Sequence, residues 1–193
     1  MLDGRGGDYP SRMDDADALT RSERLDLALL SLDQLDEVAA GDGSRLATAL
    51  QATVPADWVT DVRGLAARRA HQIRERPNDA AWLLRAMVLR PAGTGEGRRV
   101  VGYLNFHGAP DESGAAEIGY TLLPEARGHG YAIEAVRALF DWATRVHGVR
   151  RFRASVAPDN ERSLNLIGKL GFRRTGEQWD PEDGLELVFE LEL

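Results

Sequence analysis

Arg127, Gly128 and Gly130 stand just ahead of a strongly helical run, in the stretch PEARGHGYAIEA, residues 124–135. Such a turn serves either as a plain strand-to-helix connector or as a place where bare backbone N–H groups meet an anion. The first turn of a helix has N–H groups without intrahelical partners, and the helix dipole puts partial positive charge there. Small residues let phosphate oxygens approach the backbone. Arg127 can add a charge-assisted hydrogen bond. Two familiar phosphate loops do not fit. GxxxxGK[ST] occurs nowhere, and GHGYAI, residues 128–133, lacks the third glycine of a dinucleotide-binding fingerprint. The loop PAGTGEGR, residues 91–98, repeats glycine but has neither a following helix nor a Lys-Ser/Thr end, and reads as a hairpin connection.

A turn of this kind needs a strand before it and a helix after it. EIGYTLL, residues 117–123, reads as the strand. The helix extends to about Val146, with Ala132, Ala135, Val136, Leu139, Phe140 and Ala143 on one apolar stripe and Gly148 placed as its C-cap. Upstream, residues 1 to about 22 read as a polar, flexible tail. Residues 24–30 alternate as an early strand, and Ser31 suits the N-cap of a helix through SLDQLDEVAAGD. A second helix covers 58–76 and stops at Pro77, and strands are expected over 81–89 and 99–107. Downstream come a strand at 151–156, a loop and short helix in PDNERSLNLIGKLGF, then FRRT, a turn at 180–184 and a last strand at 185–193. The order is mixed α and β (α+β) without strict βαβ alternation, which predicts a single domain over 23–193.

Composition bounds the chemistry. The chain has 193 residues, 43% of them hydrophobic and 28% charged, as in an ordinary globular domain. No apolar run approaches the roughly 18 residues of a membrane span. The opening MLDGRGGDYPSRMDDADAL has no apolar signal core, so a cytoplasmic location without a membrane partner is expected. The chain has no cysteine, which excludes disulfides, thiolate catalysis and Cys-based metal sites. His71, His107, His129 and His147 form no closely spaced ligand pair, and no metal is expected. A net charge of −7 argues against nucleic acid and either favours cationic substrates or only keeps the chain soluble.

The run EIGYTLLPEARGHGYAIEAVRALFDWA followed by SVAPDNERSLNLIGKLGF resembles the GNAT superfamily of acetyl-CoA-dependent N-acetyltransferases, and within it the ribosomal-protein N-terminal acetyltransferase branch. Arg127, Gly130 and Ala132 match that family's pyrophosphate signature, and Asn160 with Leu170-Gly171-Phe172 matches its later Asn…Leu-Gly-Phe element. The resemblance covers about residues 22–193 and is strongest over 117–172. It implies a mixed, mostly antiparallel sheet of six to seven strands, flanked by helices and splayed where acetyl-CoA enters. The backbone of Leu122 and Leu123 would then pair with the pantetheine arm. Amides of Gly128, His129, Gly130, Tyr131, Ala132 and Ile133 would hold the pyrophosphate, and Asn160 and Ser163 would lie near the thioester. A homodimer is plausible for that branch.

Acetyl transfer needs a neutral amine, a polarised carbonyl and a stabilised or protonated thiolate. An α-amine near pKa 7.8 is neutral in roughly 10–15% of molecules at pH 7, a lysine near 10.4 in roughly 0.04%. A general base is therefore needed most by lysine-like acceptors. Glu117, at the start of the cofactor-facing strand, is the leading candidate, ahead of the loop acids Asp111 and Glu112. His107 and Tyr103, on the preceding strand, are candidates for the acceptor pocket, while Tyr120 reads as a wall or core aromatic. Many family members carry a tyrosine seven residues after the asparagine to protonate the thiolate. Here that position is Ile167, so Ser163, a water or unassisted departure must replace it. The acceptor is a small-molecule or protein amine. The rival reading is a module that binds acetyl-CoA for regulation with little or no catalysis.

Overall fold

The computed structural model describes residues 15–182 and 184–193. The first fourteen positions of the expected tail, and Asp183 in the turn at 180–184, lie outside the described residues. Positions 15–22 belong to the fold. Helix α1 (Asp15–Ala18) leads into β1 (Leu19–Arg21), which pairs antiparallel with β2 (Leu25–Leu29). Fully buried Arg85 donates to the Asp17 carbonyl at 2.6 Å, and Trp142 Nε1 donates to the Asp17 carboxylate at 3.2 Å. These anchors hold a segment too short to show a period of its own.

Among the described residues the sheet has eight strands in the order β1-β2-β3-β4-β5-β6-β8-β7, one or two more than expected, β1 being the unforeseen one. β3 (Arg85–Leu89), β4 (Arg99–Phe106) and β5 (Ala115–Leu122) continue the antiparallel half. β6 (Arg151–Val156), β7 (Arg173–Asp180) and β8 (Gly184–Glu192) form a second antiparallel set. The halves meet through one short parallel contact, Ala115–Glu117 of β5 against Arg151–Arg153 of β6. Beyond Glu117 and Arg153 the two strands are no longer paired, so the sheet opens into a V.

Helices α2 (Leu32–Ala40), α3 (Ser44–Leu50) and α4 (Ala56–Glu75) cover one face, where Leu35, Val38, Trp58, Val62 and Ala66 pack on Ala86, Val88 and Val100. Helices α5 (Tyr131–His147) and α6 (Glu161–Leu170) cover the other, where Val136, Leu139, Phe140 and Ile167 meet Leu104, Phe106, Ile118 and Phe152. α2 starts at Ser31 with the full reciprocal capping box to Gln34. α3 was not legible, because its seven residues between Gly43 and Gln51 give no complete apolar stripe. Residues 81–84 are not strand either. A 3-10 turn over Pro77–Trp82 inserts Trp82 edge-on against Phe106 and Trp142, and β3 begins only at Arg85. Apolar residues there satisfy burial rather than a pleat.

β4 carries a bulge at Val101, and Gly102 follows it with the backbone of β5 pressed close. A Cβ at Gly102 would lie 2.3 Å from the Thr121 carbonyl oxygen. Glycine here sets how near β5 can lie, and hence the position of Thr121 and Leu122 at the mouth of the V.

Candidate active site

α5 begins where β5 ends, after a 3-10 turn at Pro124–Ala126. Gly128 and Gly130 both have φ of +80°, a left-handed conformation that costs other L-residues about 1–2 kcal/mol. Gly130 is the N-cap of α5, and no side chain among the described residues caps the helix. The contrast with the boxed start of α2 is informative: α5 is left with its first N–H groups and dipole open.

The opening is braced from an unexpected direction. Arg24, in the β1–β2 turn, donates from Nε to Glu134 Oε2 at 2.7 Å and from Nη1 to the His129 carbonyl at 3.0 Å, and its guanidinium lies 4.6 Å over the Tyr131 ring. Ser22 Oγ donates to Glu134 Oε1 at 2.6 Å. Burial would raise the Glu134 pKa, but the Ser22 and Arg24 hydrogen bonds outweigh it and hold the carboxyl below its ordinary value. The one acidic side chain in the first turn of α5 is thereby neutralised by a partner. His129 does not line the cavity described below; its ring stacks on Tyr131.

In the V, the register of β5 decides which amides are available. Leu123 N–H donates to the Val101 carbonyl and the Glu117 carbonyl accepts from His107 N–H, each at 2.9 Å. Hydrogen-bonding residues alternate in an antiparallel ladder. The peptide groups of Tyr120 and Leu122 therefore face the gap, while those of Thr121 and Leu123 face β4. Leu123 was expected to present its backbone to a ligand, and its N–H is committed to β4. The Leu122 carbonyl accepts from Arg127 Nε at 3.1 Å, which leaves the Leu122 N–H as the donor into the gap.

α6 forms the far wall. The Asn160 carboxamide oxygen caps the helix by accepting from Ser163 N–H at 3.1 Å, so its Nδ2 is the group left to donate into the opening. Arg162, Asn165, Leu166 and Lys169 follow i, i+3, i+4, i+7 spacing and share one face. Between this face and the start of α5 lies a cavity of about 720 Å³, lined by Tyr120, Thr121, Leu122, Arg127, Gly128, Gly130, Tyr131, Ala132, Ile133, Asn160 and Ser163 as well as those four α6 residues. Arg162 and Lys169 were not singled out from sequence, though their seven-residue spacing was a readable signal. Ile167 lies in the buried stripe of α6, turned into the core, so a tyrosine at that position would not reach the opening without repacking.

The opposite sheet face carries the candidates for proton transfer. Tyr103 on β4 is half-buried and meets Trp58 edge-on at 6.5 Å; Asn105 follows on the same face, then His107 just past the strand end. Gly119, paired with Asn105, lies beneath the His107 ring. Glu117 Oε1 accepts from Ser155 Oγ at 2.6 Å and lies 3.8 Å from His107 Nδ1. Gln178 donates to Ser155 Oγ and to Glu186, which extends the polar chain to β7 and β8. Half the His107 surface is open, yet crowding on its inner side desolvates the ring. That desolvation lowers its pKa below the ordinary histidine value, Glu117 opposing and Arg69 reinforcing the shift. Asp111 is tied up in its own turn with Ser113 and to Arg153, and Glu117 is the carboxylate beside the V.

An open sheet, an uncapped helix start facing it and the Arg162–Lys169 face of α6 together frame a cavity suited to a polyanionic ligand. Residues 24–173 match the family model described as an acetyltransferase (GNAT) domain, and the chain belongs to that family. The general reaction of the family is acetyl-CoA-dependent acetyl transfer. The chain is 38% identical over 77 residues to the uncharacterized N-acetyltransferase p20 of Bacillus licheniformis, covering 40% of this chain and 43% of that protein. It is 30% identical over 80 residues to the [ribosomal protein uS5]-alanine N-acetyltransferase of Escherichia coli, 41% of each chain. The matched part thus spans less than half the length of these curated relatives. Among solved structures, an acetyltransferase from Agrobacterium tumefaciens superposes with a TM-score of 0.59 at 23% identity, over 98% of this chain and all of that one. A RimL ribosomal L7/L12 α-N-protein acetyltransferase solved with coenzyme A gives 0.59 at 17%, over 91% of this chain and 98% of that one. These similarities establish the fold. No helix among the described residues is long and apolar enough to cross a membrane.

Proposed function

We propose that the chain binds acetyl-CoA in the V between β5 and α6 and transfers its acetyl group to a primary amine. One observation carries this reading. In a chain of net charge −7, the cavity is lined by Arg127, Arg162 and Lys169, and no acidic residue is among the described residues lining it. It also meets the uncapped start of α5, so cations and helix N–H groups converge on one polyanion-sized space.

In this reading the amides of Gly130 to Ile133 and Arg127 hold the diphosphate, and the Leu122 N–H extends the broken sheet by bonding the pantetheine arm. Glu117 and neutral His107 approach from the other face, where an amine losing its proton would place it. Their cluster with Glu186 favours a cationic acceptor. The uS5-alanine acetyltransferase among the relatives favours a protein α-amine within that class, at work in the cytoplasm. Calorimetry with acetyl-CoA, followed by mass analysis of a panel of amines and N-terminal peptides, tests both halves. Micromolar binding with a gain of one acetyl on an amine is expected. Absence of binding would overturn the site, and binding without transfer to any amine would leave a coenzyme-sensing module.

A further inference from the structure

Tyr120 lies where β5 passes the first turn of α6, and its ring lines the coenzyme cavity together with Ser163. Its hydroxyl is shut off from solvent and meets no partner in hydrogen-bond geometry among the described residues, although the Ser163 hydroxyl lies alongside and favours its ionised form. A buried phenol without a partner is costly, and such a group at a ligand wall calls for a function. Desolvation raises its pKa, so the phenol keeps its proton at neutral pH and stands as a donor rather than an acceptor. The helix position seven residues after Asn160 cannot supply one, because Ile167 is packed in the core.

We propose that the Tyr120 hydroxyl donates the proton to the departing coenzyme thiolate, with Ser163 as the group that returns a proton to the phenolate. This rests on the acetyl-transfer reading of the same site. The amine nitrogen forms a bond to the thioester carbonyl carbon, the carbon–sulfur bond breaks with its electron pair on sulfur, and the Tyr120 O–H proton moves to that sulfur. The proton lost by the amine passes to Glu117 or His107 and on to solvent, and solvent reprotonates Tyr120 through Ser163. The products are an amide and a free thiol. Tyr120 thereby acts from the α5–α6 side of the sheet while Glu117 acts from the other, which separates acid from base across the strand.

The experiment compares the full chain with Tyr120→Phe and with difluorotyrosine placed at position 120. Acetyl-CoA affinity by calorimetry and kcat and KM by thiol release are measured across pH. Tyr120→Phe is expected to bind acetyl-CoA within about threefold of the parent while kcat falls on the order of a hundredfold, the range of general acid catalysis. The fluorinated phenol ionises at lower pH, so kcat should gain an alkaline decline that the parent lacks in the same range. A structural role would not produce that limb. Unchanged kcat in Tyr120→Phe, joint loss of binding and turnover, or no new limb with difluorotyrosine would each overturn the assignment. A parent chain silent toward every amine would instead overturn the transfer reading, a result visible before any variant is made.

Discussion

Arg24 and Glu134, 110 residues apart, are joined by a hydrogen bond and an ion pair at 2.7 Å, which fastens the β1–β2 turn to the first turn of α5. Glu134 would otherwise place a negative charge beside the proposed diphosphate site. Arg24→Ala is therefore expected to raise the KM for acetyl-CoA about tenfold with a smaller effect on kcat, read from initial rates at low salt. Glu134→Gln should leave affinity unchanged or improved while lowering Tm. Because the folded-state pKa of Glu134 is depressed, its contribution to stability is present above the ordinary carboxylate pKa and is lost as pH falls through the lowered value. Thermal melts between about pH 6 and 3 should show a steeper decline for the parent than for Glu134→Gln.

Gly130 combines a left-handed backbone with a position facing Arg24, whose Nη2 lies 3.5 Å from where a Cβ would sit. That distance is ordinary contact, so strain rather than collision governs Gly130→Ala. A loss of about 1–2 kcal/mol in denaturant unfolding is expected, together with at least tenfold weaker acetyl-CoA binding by calorimetry. A variant that binds normally would argue that the turn is only a connector.

Arg162 and Lys169 test the cationic wall without touching the sheet. Each alanine variant should weaken acetyl-CoA binding by about three- to tenfold, and the difference from the parent should shrink in roughly 0.5 M salt as exposed charges are screened. The turnover number should move little in either.

His107 and Glu117 predict the pH–rate profile. The neutral imidazole persists to lower pH than usual because desolvation lowers its pKa. The acid limb of kcat/KM should therefore lie below the ordinary histidine value of about 6.5, and His107→Ala should displace or remove it. Glu117→Gln should cost on the order of a hundredfold in kcat with acetyl-CoA affinity intact.

Part of this site was legible in the chain itself. The glycine pair and the EIGY strand were readable because each is a local demand, a turn opening a helix and a strand run, whereas Asn160 stood out only through the family resemblance and its capping role emerged from the fold. Strand β6 and the C-cap at Gly148 were equally plain. Arg24, Tyr120 and the Arg162–Lys169 face were not singled out, because their meaning arises only when distant elements meet. Arg24 lies in a turn with no periodicity, and Tyr120 reads as any core aromatic until β5 and β6 diverge. Leu123 shows the converse limit, since only the ladder register tells which of two adjacent leucines turns its amide toward β4.

The parting of β5 and β6 after Glu117 and Arg153 has a consequence for handling the protein. Along this gap two interior strand borders carry hydrogen-bonding capacity that pairing between β5 and β6 does not spend, and such borders recruit strands from neighbouring molecules. Coenzyme A should accordingly behave as a folding chaperone for this chain. Its saturation would protect against self-association in light scattering and raise the melting temperature by mass action.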